Sequence, residues 1–182
     1  MEQITTAKLE SVDWDFADSA RKTGLHGIHS YPAKFIREIP CELIRLFHPG
    51  DHSAVLDPFC GSGTTLVEAV RSGLPAIGID LYLLAALIAK VKTTPLDTTE
   101  LRQEGMAALE SATALAESGS LRVPDIPRLD HWFQSDVQRA LAALRTCIEQ
   151  VADADVADAL RVCFSSIIVR VSNQDSDTRY AA

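Results

Sequence analysis

The segment VLDPFCGSGTT (residues 55–65) joins a short apolar run to a glycine-rich turn and then to an apolar-periodic stretch. Residues 53–57 predict a buried parallel strand, and Thr64 to Ser72 predict a helix followed by Gly73, a residue suited to a left-handed helix end. A second apolar run, residues 76–80, also ends in an aspartate. This order predicts a βαβ unit, and in open sheets of this kind ligands bind beyond the carboxyl ends of the strands.

Helix signals continue on both sides of this unit. The candidates are residues 33–39 between Pro32 and Pro40, residues 41–47, Leu81 to Lys92, Thr98 to Glu117, Ser135 to Val151 with a capping box from Ser135 to Gln138, and Asp155 to Val171. We therefore expect an α/β fold with a partial, incomplete Rossmann-like sheet followed by a helical region. The predicted divisions are an N-terminal segment (1–22), a βαβ region (23–96) and a helical region (97–182).

Composition narrows the possible functions. The 182 residues are 47% hydrophobic and 23% charged, which indicates one soluble domain, and the net charge of −8 opposes binding to a polyanion by this chain alone. The longest apolar run is far shorter than the roughly 20 residues of a membrane span. With no basic leader, the sequence predicts a cytoplasmic protein with no membrane partner. The four cysteines lack metal-ligand spacing and predict buried free thiols.

The chemistry of the glycine-rich turn narrows the class of ligand. A phosphate-binding loop needs a lysine after Gly63, and a dinucleotide fingerprint needs a glycine where Leu66 stands. Asp57 would repel a phosphate but could pair with an amine or a sulfonium group. Asp80, at the end of the next strand, could accept hydrogen bonds from both hydroxyls of a ribose. S-adenosylmethionine carries all these groups, although both aspartates could instead only cap the helices that follow them.

Two motifs resemble those of DNA methyltransferases that modify N4 of cytosine or N6 of adenine. DPFCGSGTT (residues 57–65) is similar to the cofactor motif of that family, and HSYPAKF (residues 29–35) is similar to the segment that precedes it. The resemblance implies S-adenosylmethionine as cofactor and DNA as substrate. The residues it assigns to cofactor binding are Tyr31, Pro32, Ala33, Phe35, Asp57, Pro58, Phe59, Gly61, Ser62, Gly63, Thr64 and Asp80.

The sequence also departs from the family. Leu81-Tyr82-Leu83 stands where an Asn-Pro step is usual, so Tyr82 could stack on adenine or be an ordinary helix-face aromatic. The family grips the flipped base with [DNS]PP[YFW], and no Pro-Pro pair occurs in this sequence. We therefore predict no catalytic residue in this chain. The expected alternatives are a split enzyme, whose second polypeptide supplies the catalytic motif and the DNA-binding surface, and a truncated product.

Three further interpretations stay open from the sequence. The chain could be a fragment of an RNA methyltransferase, because those enzymes also use glycine-rich cofactor loops. The missing base-gripping motif also fits a non-catalytic cofactor-binding or regulatory subunit. A nicotinamide-dependent oxidoreductase is supported only by the βαβ outline.

Overall fold

A computed structural model describes residues 6–17, 24–32, 36–47, 50 and 53–174. Its elements are, in order, α1 (Thr6–Glu10), a 3₁₀ helix (Gly24–Gly27), α2 (Glu38–Phe47), β1 (Val55–Asp57), α3 (Thr64–Arg71), β2 (Ala76–Gly78), α4 (Leu83–Thr93), α5 (Thr98–Glu117), α6 (Leu129–Trp132), α7 (Ser135–Ile148) and α8 (Ala154–Ile168). The fold is α/β, mostly helical, and the chain divides into two compact units between Thr94 and Pro95. The predicted divisions at residues 22 and 96 stay predictions.

The first unit, unit 1, contains a two-stranded parallel sheet. Strand β1 pairs with β2 in a register that places Val55 opposite Ala76 and Asp57 opposite Gly78. Both strands are three residues long rather than the predicted five. Their pairing extends from the bond of the Val55 amide to the Pro75 carbonyl to the bond of the Ile79 amide to the Asp57 carbonyl. The βαβ order is the predicted one.

The two faces of this sheet differ. On one face the crossover helix α3 packs so closely that a Cβ atom added to Gly78 would lie 2.5 Å from Leu66 Cδ1. On the other face the side chains of Leu56, Ile77 and Ile79 are 56–60% exposed. Parallel sheets usually have both faces covered. The exposed apolar face is therefore unusual for a strand pair of this type.

Two helix ends in unit 1 test the sequence-based predictions. Gly73 follows α3 with φ 76°, and the Leu74 amide donates to the Ala69 carbonyl, which confirms the predicted left-handed helix end. Pro40 was predicted to separate two segments, but α2 begins at Glu38 and runs through it. A proline is tolerated in the first helical turn because the amide it lacks would have no helical partner there.

Unit 2 is built from helices α5, α7 and α8, which contact one another. Small side chains fill the contact between α5 and α7, including Ala108, Ala112 and Ala143. Because alanine side chains are small, these two long helices approach each other closely.

The Asp97 carboxylate accepts from the Thr99 amide at 2.7 Å and caps α5.

The start of α7 differs from the prediction. The cap residue is Gln134 and makes no side-chain cap hydrogen bond, so the predicted Ser135–Gln138 capping box is wrong. Gln138 instead donates to the carbonyl of Phe133 at 2.9 Å and to the carboxylate of Asp130 at 2.7 Å. Gln138 therefore stabilises the turn that precedes α7 and does not cap the start of the helix.

The cysteines also differ in part from the prediction. All four are free, but only Cys60 and Cys147 are buried, whereas Cys41 and Cys163 are exposed. Within the described ranges, no helix combines the length and apolarity needed to cross a membrane.

Candidate functional site

The glycine-rich loop leaves the carboxyl end of β1 and is held against the end of β2. The Cys60 amide donates to the Ile79 carbonyl at 3.0 Å, and the Gly63 amide donates to the Cys60 carbonyl at 2.8 Å. Gly61 and Gly63 have φ values of 50° and 81°, the left-handed region that favours glycine. The two glycines therefore adopt a backbone conformation that residues with a side chain rarely adopt.

The two strand-end aspartates have different hydrogen-bond partners. Asp57 Oδ1 accepts from the Phe59 amide at 3.1 Å. Asp80 accepts from the amides of Gly61 and Tyr82, each at 2.8 Å, through its two oxygens. Asp80 therefore connects the loop to the end of β2. Neither the ribose interpretation nor the capping interpretation of Asp80 includes this bond to the Gly61 amide. Because a carboxylate has about four acceptor positions, both side chains retain acceptors for a ligand.

Tyr31 lies beside the loop. A Cβ atom on Gly61 would be 3.6 Å from Tyr31 Cε1, and the rings of Tyr31 and Tyr82 have centroids 6.5 Å apart with an interplanar angle of 31°. Burial and, next, the charge of Asp80 raise the pKa of Tyr31 above its ordinary 10.0. Tyr31 therefore stays a neutral phenol, and an aromatic pair borders the carboxylate.

Cys60 occupies the interior side of the loop. Its thiol is buried beneath the loop, and burial followed by the charges of Asp80 and Asp57 raises its pKa. A neutral thiol fills space without adding negative charge between the two carboxylates. Its role is thus one of packing.

Helix α3 begins at the loop with unsatisfied backbone donors. Its N-cap is Gly63, which has no side chain to accept from the first helical amides. Because the first amides of any helix lack a helical acceptor, those of Thr64 and Thr65 remain donors for a ligand oxygen. The Thr64 side chain itself is 5% exposed and packs inside.

Asp57 ends β1, and the other predicted site residues fall into four groups. The structure brings together Tyr31, Gly61 and Asp80, and it places Ser62, Gly63 and Thr64 in the buried base of the loop. The exposed group consists of Pro32, Pro58 and Phe59, the last with 86% of its surface exposed. Ala33 and Phe35 lie outside the described residues.

Sequence reasoning missed two residues that support the loop from α4. Lys92 Nζ donates to the Ser62 carbonyl at 2.8 Å, and a Cβ atom on Gly63 would lie 2.8 Å from Ala89 Cβ. A signal was present in the sequence, because Lys92 falls at helical spacing from the buried residues Ala85, Ile88 and Ala89. A lysine on the buried stripe of a helix indicates a specific partner.

The groups at this edge fit one kind of ligand. Carboxylate oxygens suit an ammonium group and a ribose diol, free helical amides suit a carboxylate, and an aromatic pair suits a flat base. A phosphate would lie against the carboxylates of Asp57 and Asp80 and be repelled by them. The set therefore matches S-adenosylmethionine better than a nucleotide phosphate.

Comparison with known proteins agrees with this chemistry. Residues 4–90 match the family described as DNA methylase, in its N6 and N4 class. The type II methyltransferase M.MvaI of Kocuria varians is 31% identical over 166 residues, which cover 87% of this chain and 37% of that protein. The type II methyltransferase M.MjaII of Methanocaldococcus jannaschii is 41% identical over 98 residues, which cover 50% of this chain and 18% of that protein.

The chain therefore spans well under half the length of either relative. No solved structure matches it significantly.

Proposed function

Because its sequence places this chain in the amino-methylating DNA methylase family, we propose that the loop at residues 57–63 binds S-adenosylmethionine. The chain is then the cofactor-binding part of a DNA methyltransferase that modifies an exocyclic amino nitrogen of cytosine or adenine. The observation that carries this proposal is the meeting of Gly61, Asp80 and Tyr31 at one edge of the sheet, beside the uncapped start of α3.

Each part of the loop has a proposed task. The amides of Thr64 and Thr65 hold the carboxylate of the methionine moiety, and Asp57 pairs with its ammonium group. Asp80 takes the ribose hydroxyls with the oxygen positions not used by the Gly61 and Tyr82 amides. Tyr31 and Tyr82 border the adenine. When bound, S-adenosylmethionine supplies an electrophilic methyl group, and the chain's own residues bind and orient it.

Pro32, Pro58 and Phe59 have a different proposed role. Because they are exposed beside the loop, they shield the bound cofactor from water rather than bond to it. The resemblance to the family motif also assigns Ala33 and Phe35 to this border.

A second part of the enzyme is needed for transfer to DNA. This sequence contains no Pro-Pro-aromatic motif and carries a net charge of −8, so the base pocket and the basic DNA-binding surface must come from other residues. The exposed sheet face formed by Leu56, Ile77 and Ile79 supports this proposal, because a further part of the sheet domain would cover it. The second part is a partner polypeptide or a further stretch of a longer chain.

A type II restriction-modification system in the cytoplasm is the proposed setting. The same observations also favour one other function, a subunit that binds the cofactor without catalysing transfer. In that case the chain would bind S-adenosylmethionine and no complementing polypeptide would make it methylate DNA.

Calorimetry tests the cofactor assignment. S-adenosylmethionine and a nicotinamide dinucleotide are titrated separately into the purified chain, and only the first should bind. Asp57→Ala and Asp80→Asn should each weaken binding by about 1 to 3 kcal/mol, because ligand donors lose a charged acceptor. Asparagine at position 80 keeps an oxygen for one backbone amide, so that variant separates loss of ligand contacts from collapse of the loop.

The matched control is Asp153→Ala. Asp153 also accepts backbone amide hydrogen bonds, from Asp155 and Val156, but at the start of α8 in unit 2. This variant should lose about 1 kcal/mol of stability and keep wild-type affinity for S-adenosylmethionine. Binding of the dinucleotide but not of S-adenosylmethionine would reject the proposal.

A methyl-transfer assay tests the proposal that transfer to DNA needs a second part of the enzyme. With labelled S-adenosylmethionine, the chain alone should transfer no methyl group to DNA, and adding a polypeptide that carries the Pro-Pro-aromatic motif and a basic surface should restore transfer. Transfer to DNA by the chain alone would show that the missing-part proposal is wrong.

A further inference from the structure

Helix α4 carries a buried lysine whose ammonium group is used inside the protein. Lys92 is 4% exposed, and its Nζ donates to the Ser62 carbonyl at 2.8 Å and lies 3.4 Å from Ser62 Oγ. Burying an ammonium group is costly unless it is well hydrogen-bonded. An apolar residue would fit the buried face of α4 at lower cost, so the lysine calls for a specific explanation.

The Ser62 carbonyl has no helical donor. Helix α3 begins at Thr64, and the Val67 amide bonds to the Gly63 carbonyl, so the regular helical ladder starts one residue after Ser62. A buried carbonyl without a donor is unfavourable. Lys92 supplies the donor that the helix does not.

This bond fixes the orientation of a complete peptide plane. In a trans peptide the carbonyl of Ser62 and the amide of Gly63 point in opposite directions. The carbonyl bonds to Lys92 on one side, and the amide bonds to the Cys60 carbonyl at 2.8 Å on the other. The plane cannot flip without breaking both bonds, and its orientation helps hold Gly63 at φ 81°.

Helix α4 therefore supports the loop at two points one turn apart. Ala89 lies against Gly63 with no room for a side chain there, and Lys92 holds Ser62. Asp80 holds the amide of Gly61, the residue that precedes Ser62. The anchored residues 61–63 directly precede Thr64 and Thr65, whose amides we assign to the cofactor.

We propose that Lys92 is a positioning residue for the cofactor loop: its buried ammonium group holds the Ser62–Gly63 peptide in the orientation that presents the start of α3 to S-adenosylmethionine. This inference rests on the proposed function for the ligand. The anchoring of the loop itself is independent of it and is measured without ligand.

Hydrogen exchange on the full chain tests the anchoring. In ligand-free Lys92→Met, the hydrogen-bonded amides of Cys60, Gly61 and Gly63 should exchange at least about tenfold faster than in the wild type, while those in the middle of α4 keep their protection. Methionine preserves most of the packing of the lysine stem and removes only the ammonium group. Ile88→Val, a buried change on the same helix, should alter exchange evenly across unit 1, as any general loss of stability does.

Calorimetry with S-adenosylmethionine then tests the consequence. Lys92→Met should raise the Kd roughly tenfold or more, whereas Ile88→Val and the exposed matched change Lys90→Met should leave it within about twofold. Lys92→Gln provides a second variant if Lys92→Met does not fold. The glutamine side chain is one bond shorter than that of lysine, so its amide cannot reach the Ser62 carbonyl without a backbone shift. Lys92→Gln should therefore also show faster exchange of the loop amides and a higher Kd.

The outcomes separate the two proposals. Wild-type exchange at the amides of Cys60, Gly61 and Gly63 in the Lys92 variants would overturn the anchoring, and accelerated exchange with unchanged Kd would overturn the positioning role. Failure of the wild type to bind S-adenosylmethionine would instead reject the proposed function, with the exchange result still deciding whether Lys92 holds the loop.

Discussion

The two units bury different kinds of side chain. Among the described residues, all the buried polar or charged ones are in unit 1: His26, Ser62, Thr64, Glu68 and Lys92. The buried residues of unit 2 are alanine, valine, isoleucine and cysteine throughout. Since a buried polar group is tolerated only with hydrogen-bond partners, unit 1 depends on specific pairings where unit 2 depends on packing.

The lengths of their elements lead to the same conclusion. Unit 2 contains a 20-residue helix and two others of 14 and 15 residues. In unit 1 the strands have three residues each, and the loop between β1 and α3 is held by side chains from other elements. The comparison teaches that the proposed site lies in the part of the chain where single contacts matter most.

The largest expected effect is at Gly63. Gly63→Ala places a Cβ atom 2.8 Å from Ala89 Cβ and 2.9 Å from its Cα, in a backbone with φ 81°. We expect a loss of about 3 kcal/mol or more in the free energy of unfolding, from overpacking and left-handed strain together, and no measurable binding of S-adenosylmethionine. Urea denaturation and calorimetry measure the two effects.

Gly119 provides the matched control for this change. It has φ 70°, and nothing lies within 4 Å of the Cβ position. Gly119→Ala should therefore show only the strain, about 1 kcal/mol, and keep wild-type binding. Equal losses in the two variants would mean that the contact with Ala89 contributes nothing.

A buried carboxylate in unit 1 should matter more than an exposed one in unit 2. Glu68 Oε1 accepts from His26 Nε2 at 2.7 Å and from Arg71 at 3.1 Å, and its side chain is 8% exposed. Glu68→Ala should cost about 3 kcal/mol, because His26 keeps a buried polar group without this acceptor. Denaturation of Glu68→Ala and of its exposed counterpart, Glu149→Ala, measures the difference between their free energies of unfolding.

The exposed counterpart is the pair of Arg145 and Glu149 on α7. Its distance is also short, 2.8 Å, but the side chains are 58% and 50% exposed. Glu149→Ala should cost at most about 0.5 kcal/mol, since solvent screens the pair. A cost as large as that of Glu68→Ala would contradict the proposed contrast between the units.

Two buried valines separate stability from function. Val67 on α3 and Val162 on α8 are each 2% exposed. Replacement of either by alanine should cost about 2 kcal/mol. Only Val67→Ala should also weaken binding of S-adenosylmethionine, by several-fold, because its amide bonds to Gly63 and a cavity there loosens the start of α3. Equal affinity in both variants would show that the loop does not depend on α3 packing.

Features set by neighbouring residues could be predicted from the sequence. Helix α5 has the predicted bounds, because its periodicity and its Asp97 cap are both local. The order β1, α3, β2 and the left-handed Gly73 after α3 were predicted for the same reason. The Ser135–Gln138 capping box failed because Gln138 found a partner in Asp130, outside the helix.

Partners that are distant in sequence could not be predicted. The pairs Lys92–Ser62, His26–Glu68 and Asp80–Gly61 are 30, 42 and 19 residues apart. The residue types in the loop predict the chemistry of a ligand, and that stays a prediction, but only the fold shows which side chains hold the loop in shape. For the same reason Asp80 was predicted as a ligand contact and not as a support for Gly61.

The smallest expected effect is a pH dependence in unit 2. Hydrogen bonds from the backbone amides of Thr99 and Glu100 hold the pKa of Asp97 below its ordinary value of 3.8. Because the folded-state pKa is the lower one, the stabilisation is present above pH 3.8 and is lost as the pH falls through the folded-state value. Asp97→Asn keeps the cap and cannot titrate. The stability difference between wild type and variant, measured by urea denaturation from pH 6 downward, should therefore shrink only below about pH 4. A constant difference down to the acid limit of folding would show that the cap does not depend on the charge of Asp97.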